Sequence, residues 1–215
     1  MKNRFDLIVF DWDGTLMDSV DWIVQCLLVA AKEQNCELPK EQDIKDIIGL
    51  SIHKSLDKLF PELDDSARQL FIESYSKAFF SRQITDNDLF SGVKEMLLHF
   101  KQAGYQLAVA TGKSRHGLDK AMQGTGLDGF FNITQCADET ASKPKPDMLN
   151  VIIEALDVSK DRVVLIGDST HDMEMAVNAG VDSIAVLCGA NSKEQMQSYG
   201  PLLNLQKTTE LLEIL

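Results

Sequence analysis

Four stretches of this chain are apolar at every consecutive position, which few structures other than a buried parallel sheet accommodate. Leu7-Ile8-Val9-Phe10, Leu107-Ala108-Val109-Ala110, Val163-Val164-Leu165-Ile166 and Ile184-Ala185-Val186-Leu187 show no polar alternation. A strand with one wet face would alternate, so these read as strands covered on both sides. Helical spacing lies between them. Val93, Met96, Leu97 and Phe100 share one helix face, with Gly104 placed to stop it. Met148, Ile152 and Leu156 repeat the pattern, and Pro146 suits a first helical turn. Alternating strands and helices imply an α/β fold with a doubly wound parallel sheet.

One region breaks the alternation. From about Ser19 to Arg82 the apolar spacing is helical throughout. Val20, Ile23, Val24, Leu27 and Leu28 form one stripe, with Asp18 or Ser19 as its cap and Leu38-Pro39 as its end. Ile44, Ile47 and Ile48 mark a second helix stopping at Gly49. Ile52, Leu56, Leu59 and Phe60 mark a third, closed by Pro61, and Leu70, Phe71, Tyr75 and Phe79 a fourth. The expected organisation is a core of residues 1–15 and 86–215 interrupted by an all-helical insertion, 16–85. Its hinges are expected near Leu16-Met17-Asp18 and Ile84-Thr85-Asp86.

Composition narrows the function classes. Among 215 residues, 21 Lys and Arg face 33 Asp and Glu, a net charge of −12. A nucleic-acid binder needs a basic surface for phosphate contacts, so nucleic acid is excluded as a partner. No run approaches the roughly 18 apolar residues of a membrane span. Met1-Lys2-Asn3-Arg4 starts basic, but Asp6, Asp11 and Asp13 break up the short apolar stretch behind it, unlike a signal peptide. Cys26, Cys36, Cys136 and Cys188 lack C-x-x-C spacing, which fits reduced thiols in a cytoplasm.

Open parallel sheets bind ligands beyond the carboxyl ends of their strands. Behind the first run stands Asp11-Trp12-Asp13-Gly14-Thr15, and behind the second Thr111-Gly112-Lys113-Ser114. The third leads into Gly167-Asp168-Ser169-Thr170-His171-Asp172, and Ser142-Lys143-Pro144-Lys145-Pro146 lies between these last two. Asp11, Asp13, Asp168 and Asp172 at one sheet edge would repel one another and raise each other's pKa unless a cation sat among them. A hard divalent cation, Mg²⁺ above all, answers that conflict. Thr111 and the Gly112 amide, ahead of a helix that Ser114 caps, form an anion-binding corner. Lys143 offers the anion a fixed positive charge, with Lys113 and Lys145 as rivals for that role. A calcium loop is excluded for Asp11 and Asp13, because no further Asp or Asn and closing Glu stand at loop spacing.

FDWDGTLMDS (Phe10 to Ser19), VATGKS (Val109 to Ser114), SKPKPDM (Ser142 to Met148) and GDSTHDMEMAVNAG (Gly167 to Gly180) together resemble the four ordered motifs of the haloacid dehalogenase superfamily. The insertion resembles the small helical cap of its phosphoglycolate phosphatase-like branch. The resemblance implies a HAD-like, Rossmann-type core and a phosphatase acting on a small-molecule phosphate ester. It implies Asp11 as the nucleophile that becomes an aspartyl-phosphate, and Asp13 as general acid and base. Mg²⁺ would be held by the Asp11 carboxylate, the Asp13 backbone carbonyl and Asp168. Asp172 would orient a water or Lys143 from behind. Thr111, Gly112 and Lys143 would bind the transferring phosphoryl group, and the K-P-x-P pattern favours Lys143 over its rivals.

The superfamily's other chemistries remain to be weighed. Dehalogenases and phosphonatases lack the acid at Asp13. β-Phosphoglucomutases keep it, but usually carry valine where Thr15 stands, which favours a phosphatase. A non-catalytic regulator is disfavoured because every motif position holds a competent residue. Trp12 is expected in the packing, as are Met173, Met175 and Met196. His53, His99, His116 and His171 lack metal-ligand spacing, and His53 comes just after a cap turn, Gly49-Leu50-Ser51, that faces the site in this reading. Residues 16–85 hold eight Lys and Arg against twelve Asp and Glu, so the cap offers no broad basic surface.

Overall fold

The computed structural model describes Met1 and residues 4–215. Lys2 and Asn3, part of the basic N-terminal start, lie outside the described residues. Six strands form one parallel sheet among the described residues: β1 (Leu7–Phe10), β2 (Gln106–Thr111), β3 (Ile133–Cys136), β4 (Val163–Gly167), β5 (Asp182–Val186) and β6 (Leu203–Leu205). Their spatial order is β3-β2-β1-β4-β5-β6, which is the doubly wound order. In register, Phe10 lies between Val109 and Ile166. Every carboxyl end therefore meets the same edge.

The pleat explains the unbroken apolar runs. Leu7 and Val9 point to one face, with Ala108, Ala110, Val163 and Leu165. That face is covered by α7 (Asp147–Leu156) and α8 (Thr170–Ala179), through Met148, Ile152, Met175 and Ala176. Ile8, Phe10, Val109 and Ile166 point to the other face. There they meet Val93, Met96, Leu97 and Phe100 of α5 (Val93–Gln102) and Leu118 of α6 (Arg115–Thr125). Trp12 is fully buried in this second cluster, edge-on to Phe131.

Four helices form the insertion, α1 (Val20–Glu33), α2 (Glu41–Lys45), α3 (Ile52–Leu59) and α4 (Asp65–Phe79), but the second ends at Lys45, so Ile47 and Ile48, expected in it, lie in the turn before Gly49. Asp64 caps α4 by accepting from the Ala67 amide at 2.8 Å. Ser19 stands at the start of α1 but does not cap it; its hydroxyl donates to Asp13 instead. The two connections to the core run side by side: the Asp18 amide donates to the Asp88 carbonyl at 2.8 Å and the Phe90 amide to Leu16 at 3.0 Å. No helix among the described residues is long and apolar enough to cross a membrane. All four cysteines are free thiols.

Candidate active site

The loop after β1 carries the first two aspartates. The Asp11 amide still donates to Ile166 at 2.9 Å, as a strand residue would, so Asp11 is fixed to the sheet edge between β1 and β4. The chain then turns sharply: the Leu16 and Met17 amides both donate to the Trp12 carbonyl, at 2.9 and 3.0 Å. Gly14 makes the turn at φ +77°, and a side chain there would run into the Asp168 carboxylate. Thr15 closes the gap between the loops by donating its hydroxyl to Asp168 Oδ1 at 2.7 Å.

Asp168 and Asp172 are held from the start of α8. Ser169 and Asp172 form a reciprocal capping box. Asp172 Oδ2 accepts from the Ser169 amide at 3.1 Å and from its hydroxyl at 2.6 Å. Asp168 Oδ2 accepts from the Ala190 amide at 2.7 Å. Lys143 arrives from the Pro-flanked loop and is itself 1% exposed. Its Nζ donates to Asp11 Oδ1 at 2.8 Å and to Asp172 Oδ1 at 2.6 Å. Asp172 thus orients Lys143, and Lys143 orients Asp11. Asp11 Oδ2 accepts no hydrogen bond among the described residues, and Asp11 lines a cavity of about 300 Å³.

The electrostatics arise from burial. Oxygens of Asp11, Asp168 and Asp172 lie within 4.8 Å of one another, all buried. Burial, with Asp172 alongside, lifts Asp168 to about 7. Burial also drives Asp11 well above the usual carboxylate range, although Lys143 opposes it. Burial works against the charge on Lys143, but Asp11 and Asp172 outweigh it and hold its pKa above the ordinary lysine value. Full ionisation of Asp11, Asp168 and Asp172 beside one ammonium would leave two uncompensated negative charges in a buried space. A divalent cation with oxygen preference fits that donor set.

Asp13 lines the same cavity as Asp11, but in different company. Its Oδ1 accepts from the Ser19 hydroxyl at 2.6 Å and pairs with Lys113 Nζ at 3.0 Å. Lys113 in turn lies 4.4 Å from the centre of the Phe79 ring of α4. The three lysines are placed differently: Lys143 pairs with Asp11, Lys113 pairs with Asp13, and Lys145 is exposed. Thr111 and Gly112 line the cavity beside the two aspartates.

The insertion docks directly on these loops. The Ser51 amide donates to the Ser142 hydroxyl at 3.0 Å, and Ser142 is next to Lys143. His171 Nε2 lies 2.9 Å from the Asp46 carbonyl, an oxygen that only accepts, so that nitrogen carries the proton. A Cβ at Gly112 would stand 2.5 Å from the carbonyl oxygens of both Gly49 and Leu50. Gly112→Ala should therefore lift the cap turn off the core. A displacement of about 1 Å near reacting groups costs on the order of 10²-fold. A loss of that size in kcat/KM, with an unchanged circular dichroism spectrum, is the expected result; wild-type turnover would show the close approach to be dispensable.

Sequence reasoning missed Ser19, Thr15, Ser169 and Tyr75. Ser169 was findable, because Ser-x-x-Asp ahead of a helix is a capping-box spacing. Thr15 and Ser19 act on carboxylates reached only through the turn at Gly14. Tyr75 comes from α4, and its hydroxyl makes no hydrogen bond among the described residues although it lines the cavity. Burial, and then Asp13, raise its pKa well above the phenol value, so it stays a donor.

Comparison with known proteins identifies the family and the fold. Residues 8–186 match the family model described as haloacid dehalogenase-like hydrolase. Pyrophosphatase PpaX of Bacillus cereus (strain B4264) is 28% identical over 213 residues, covering 99% of this chain and 97% of that one. The protein of the same name from Bacillus mycoides (strain KBAB4) is 27% identical over 215 residues, with 99% and 97% covered. A solved hydrolase from Pseudomonas syringae shares the fold at a TM-score of 0.87 and 23% identity, over 96% of each chain. A β-phosphoglucomutase from Clostridium difficile shares it at 0.84 and 18%, over 96% of this chain and 93% of that one.

Proposed function

Because the chain belongs to the haloacid dehalogenase-like hydrolases, we propose that it is a Mg²⁺-dependent phosphatase of small phosphorylated metabolites, working through an aspartyl-phosphate. One observation carries the reading: Lys143 holds Asp11 by one carboxylate oxygen and leaves the other without a hydrogen bond at the cavity wall. That is the arrangement an in-line nucleophile needs.

In this proposal the phosphoryl group sits against Thr111 and Gly112, and Asp11 Oδ2 attacks phosphorus. The P–O bond to the alcohol breaks, and Asp13 gives the departing oxygen its proton. Ser19 and Lys113 hold Asp13 in place for that transfer. Asp13, now a carboxylate, takes a proton from a water that attacks the aspartyl-phosphate, releasing phosphate and restoring Asp11. Lys143 and Asp172 keep Asp11 oriented through both halves. Asp11, Asp168 and the Asp13 carbonyl would hold Mg²⁺, which when bound neutralises charge on the transferring group. Residues 16–85 act as a cap that excludes bulk water during the reaction.

The direct test is hydrolysis of p-nitrophenyl phosphate with Mg²⁺ and with excess EDTA. Turnover is expected only with the metal, and acid quenching should trap phosphate on Asp11. Undiminished turnover in EDTA would overturn the metal assignment.

A further inference from the structure

Much of the cavity lining belongs to the insertion, and its chemistry bears on what leaves. Ile23 and Leu27 of α1 and Ile72 and Phe79 of α4 are part of it, with Ile48 from the turn after α2. Among the described lining residues there is no arginine, and Lys113 is the single lysine. That lysine is already paired with Asp13 at 3.0 Å and laid on the Phe79 ring. Lys143 is buried and bonded to two carboxylates, Asp11 and Asp172. His53, the remaining basic side chain on the wall, is exposed. Asp138 adds a further carboxylate.

A second phosphate or a carboxylate on the leaving group would enter this space to find neutral hydroxyls, the exposed His53 and one more acidic side chain, but no lysine or arginine in the lining that is not already paired. Neutral hydroxyls, Tyr75, Ser55 and Ser76 among them, do not repay the dehydration of a second charge as a free cation would, and the isoleucine, leucine and phenylalanine side chains beside them repay none of it. An uncharged alkyl or aryl group gains from the same wall by leaving water. A cavity of about 300 Å³ suits a small substrate. We infer that this enzyme prefers phosphate monoesters whose leaving alcohol is uncharged and largely apolar, and discriminates against anionic leaving groups. The inference rests on the phosphatase reading above. It sets this chain apart from the activity that the name of its pyrophosphatase relatives describes.

The test is kcat/KM, with Mg²⁺, for n-propyl, n-butyl, n-pentyl and n-hexyl phosphate beside 2-phosphoglycolate and pyrophosphate. The alkyl alcohols differ little as leaving groups, so a trend along the series reports the wall. A rise of about three- to fourfold per methylene is expected, with hexyl phosphate well ahead of both anionic substrates. Ile72→Lys places a cation in the apolar wall and should raise the ratio of phosphoglycolate to hexyl phosphate turnover at least about tenfold. A flat alkyl series, or an anionic substrate as the best one, overturns the inference and leaves the phosphatase reading standing. Hydrolysis of none of the panel, p-nitrophenyl phosphate included, overturns both.

Discussion

Asp11→Asn is expected to lower kcat by at least about 10⁴-fold, in line with the loss of a covalent nucleophile elsewhere. The amide keeps the shape of the side chain and an oxygen for Lys143, but it is a poor nucleophile and forms no stable phosphoryl ester. Folding should survive. Asp11 is buried among like charges, and its carboxyl is held well above the usual range chiefly by that burial. Removing the charge relieves repulsion with Asp168 and Asp172, so the metal-free variant should melt no lower than the wild type. The measurements are single-turnover kinetics, acid-quench trapping and thermal unfolding. Near-native turnover in a folded Asp11→Asn protein would show that attack comes from elsewhere.

Lys143→Ala should be damaging in a different way, by loss of stability as well as rate. The ammonium neutralises two buried carboxylates, at 2.8 and 2.6 Å, and breaking a buried pair from one side typically costs about 3–5 kcal/mol. The deficit should depend on pH. Asp168 titrates near 7 in the fold, above its unfolded value, chiefly because burial penalises its charge. The stability that comes with its protonated form is complete below the ordinary carboxylate pKa and is lost as pH rises through about 7. Without Lys143 the carboxylates resist ionisation further, so the penalty should be larger at about pH 8 than at about pH 6.5. Urea unfolding of the metal-free proteins at the two pH values decides the matter. Added Mg²⁺ should recover part of the loss by supplying positive charge to the same carboxylates. A Lys143→Ala protein as stable as the wild type at the higher pH would mean that the pair contributes nothing net.

The features legible from the residues alone had a local cause. Strands β1, β2, β4 and β5 are central, buried on both faces, and so left unbroken apolar runs that a reader of the chain finds directly. The loops behind them were equally visible, because a parallel sheet places every such loop at one edge. The helices of residues 20–79 showed through their 3.6-residue spacing. The edge strands did not show. Ile133-Thr134-Gln135-Cys136 is half polar and mostly half-buried, and Leu203-Asn204-Leu205 is only three residues long. A strand with one neighbour and one wet side is under no pressure to be apolar throughout.

The sequence by itself determined the layering of the sheet, the position of the helical insertion and the set of residues gathered at the sheet edge. Only the tertiary structure decided how those residues divide their partners. Lys113 and Lys143 are alike in charge and both stand in site loops. What separates them is that Lys143 crosses 132 positions to reach Asp11, whereas Lys113 meets Asp13 beside a ring of the insertion. Ser19 offered every local sign of a helix cap, yet its hydroxyl goes to Asp13, brought near by the turn at Gly14. The apolar part of the cavity lining is likewise drawn from α1 and α4, whose inward stripes read as ordinary core until the fold brings part of them to the site. Periodicity records which side of an element is dry; it holds no record of which distant group that side will meet.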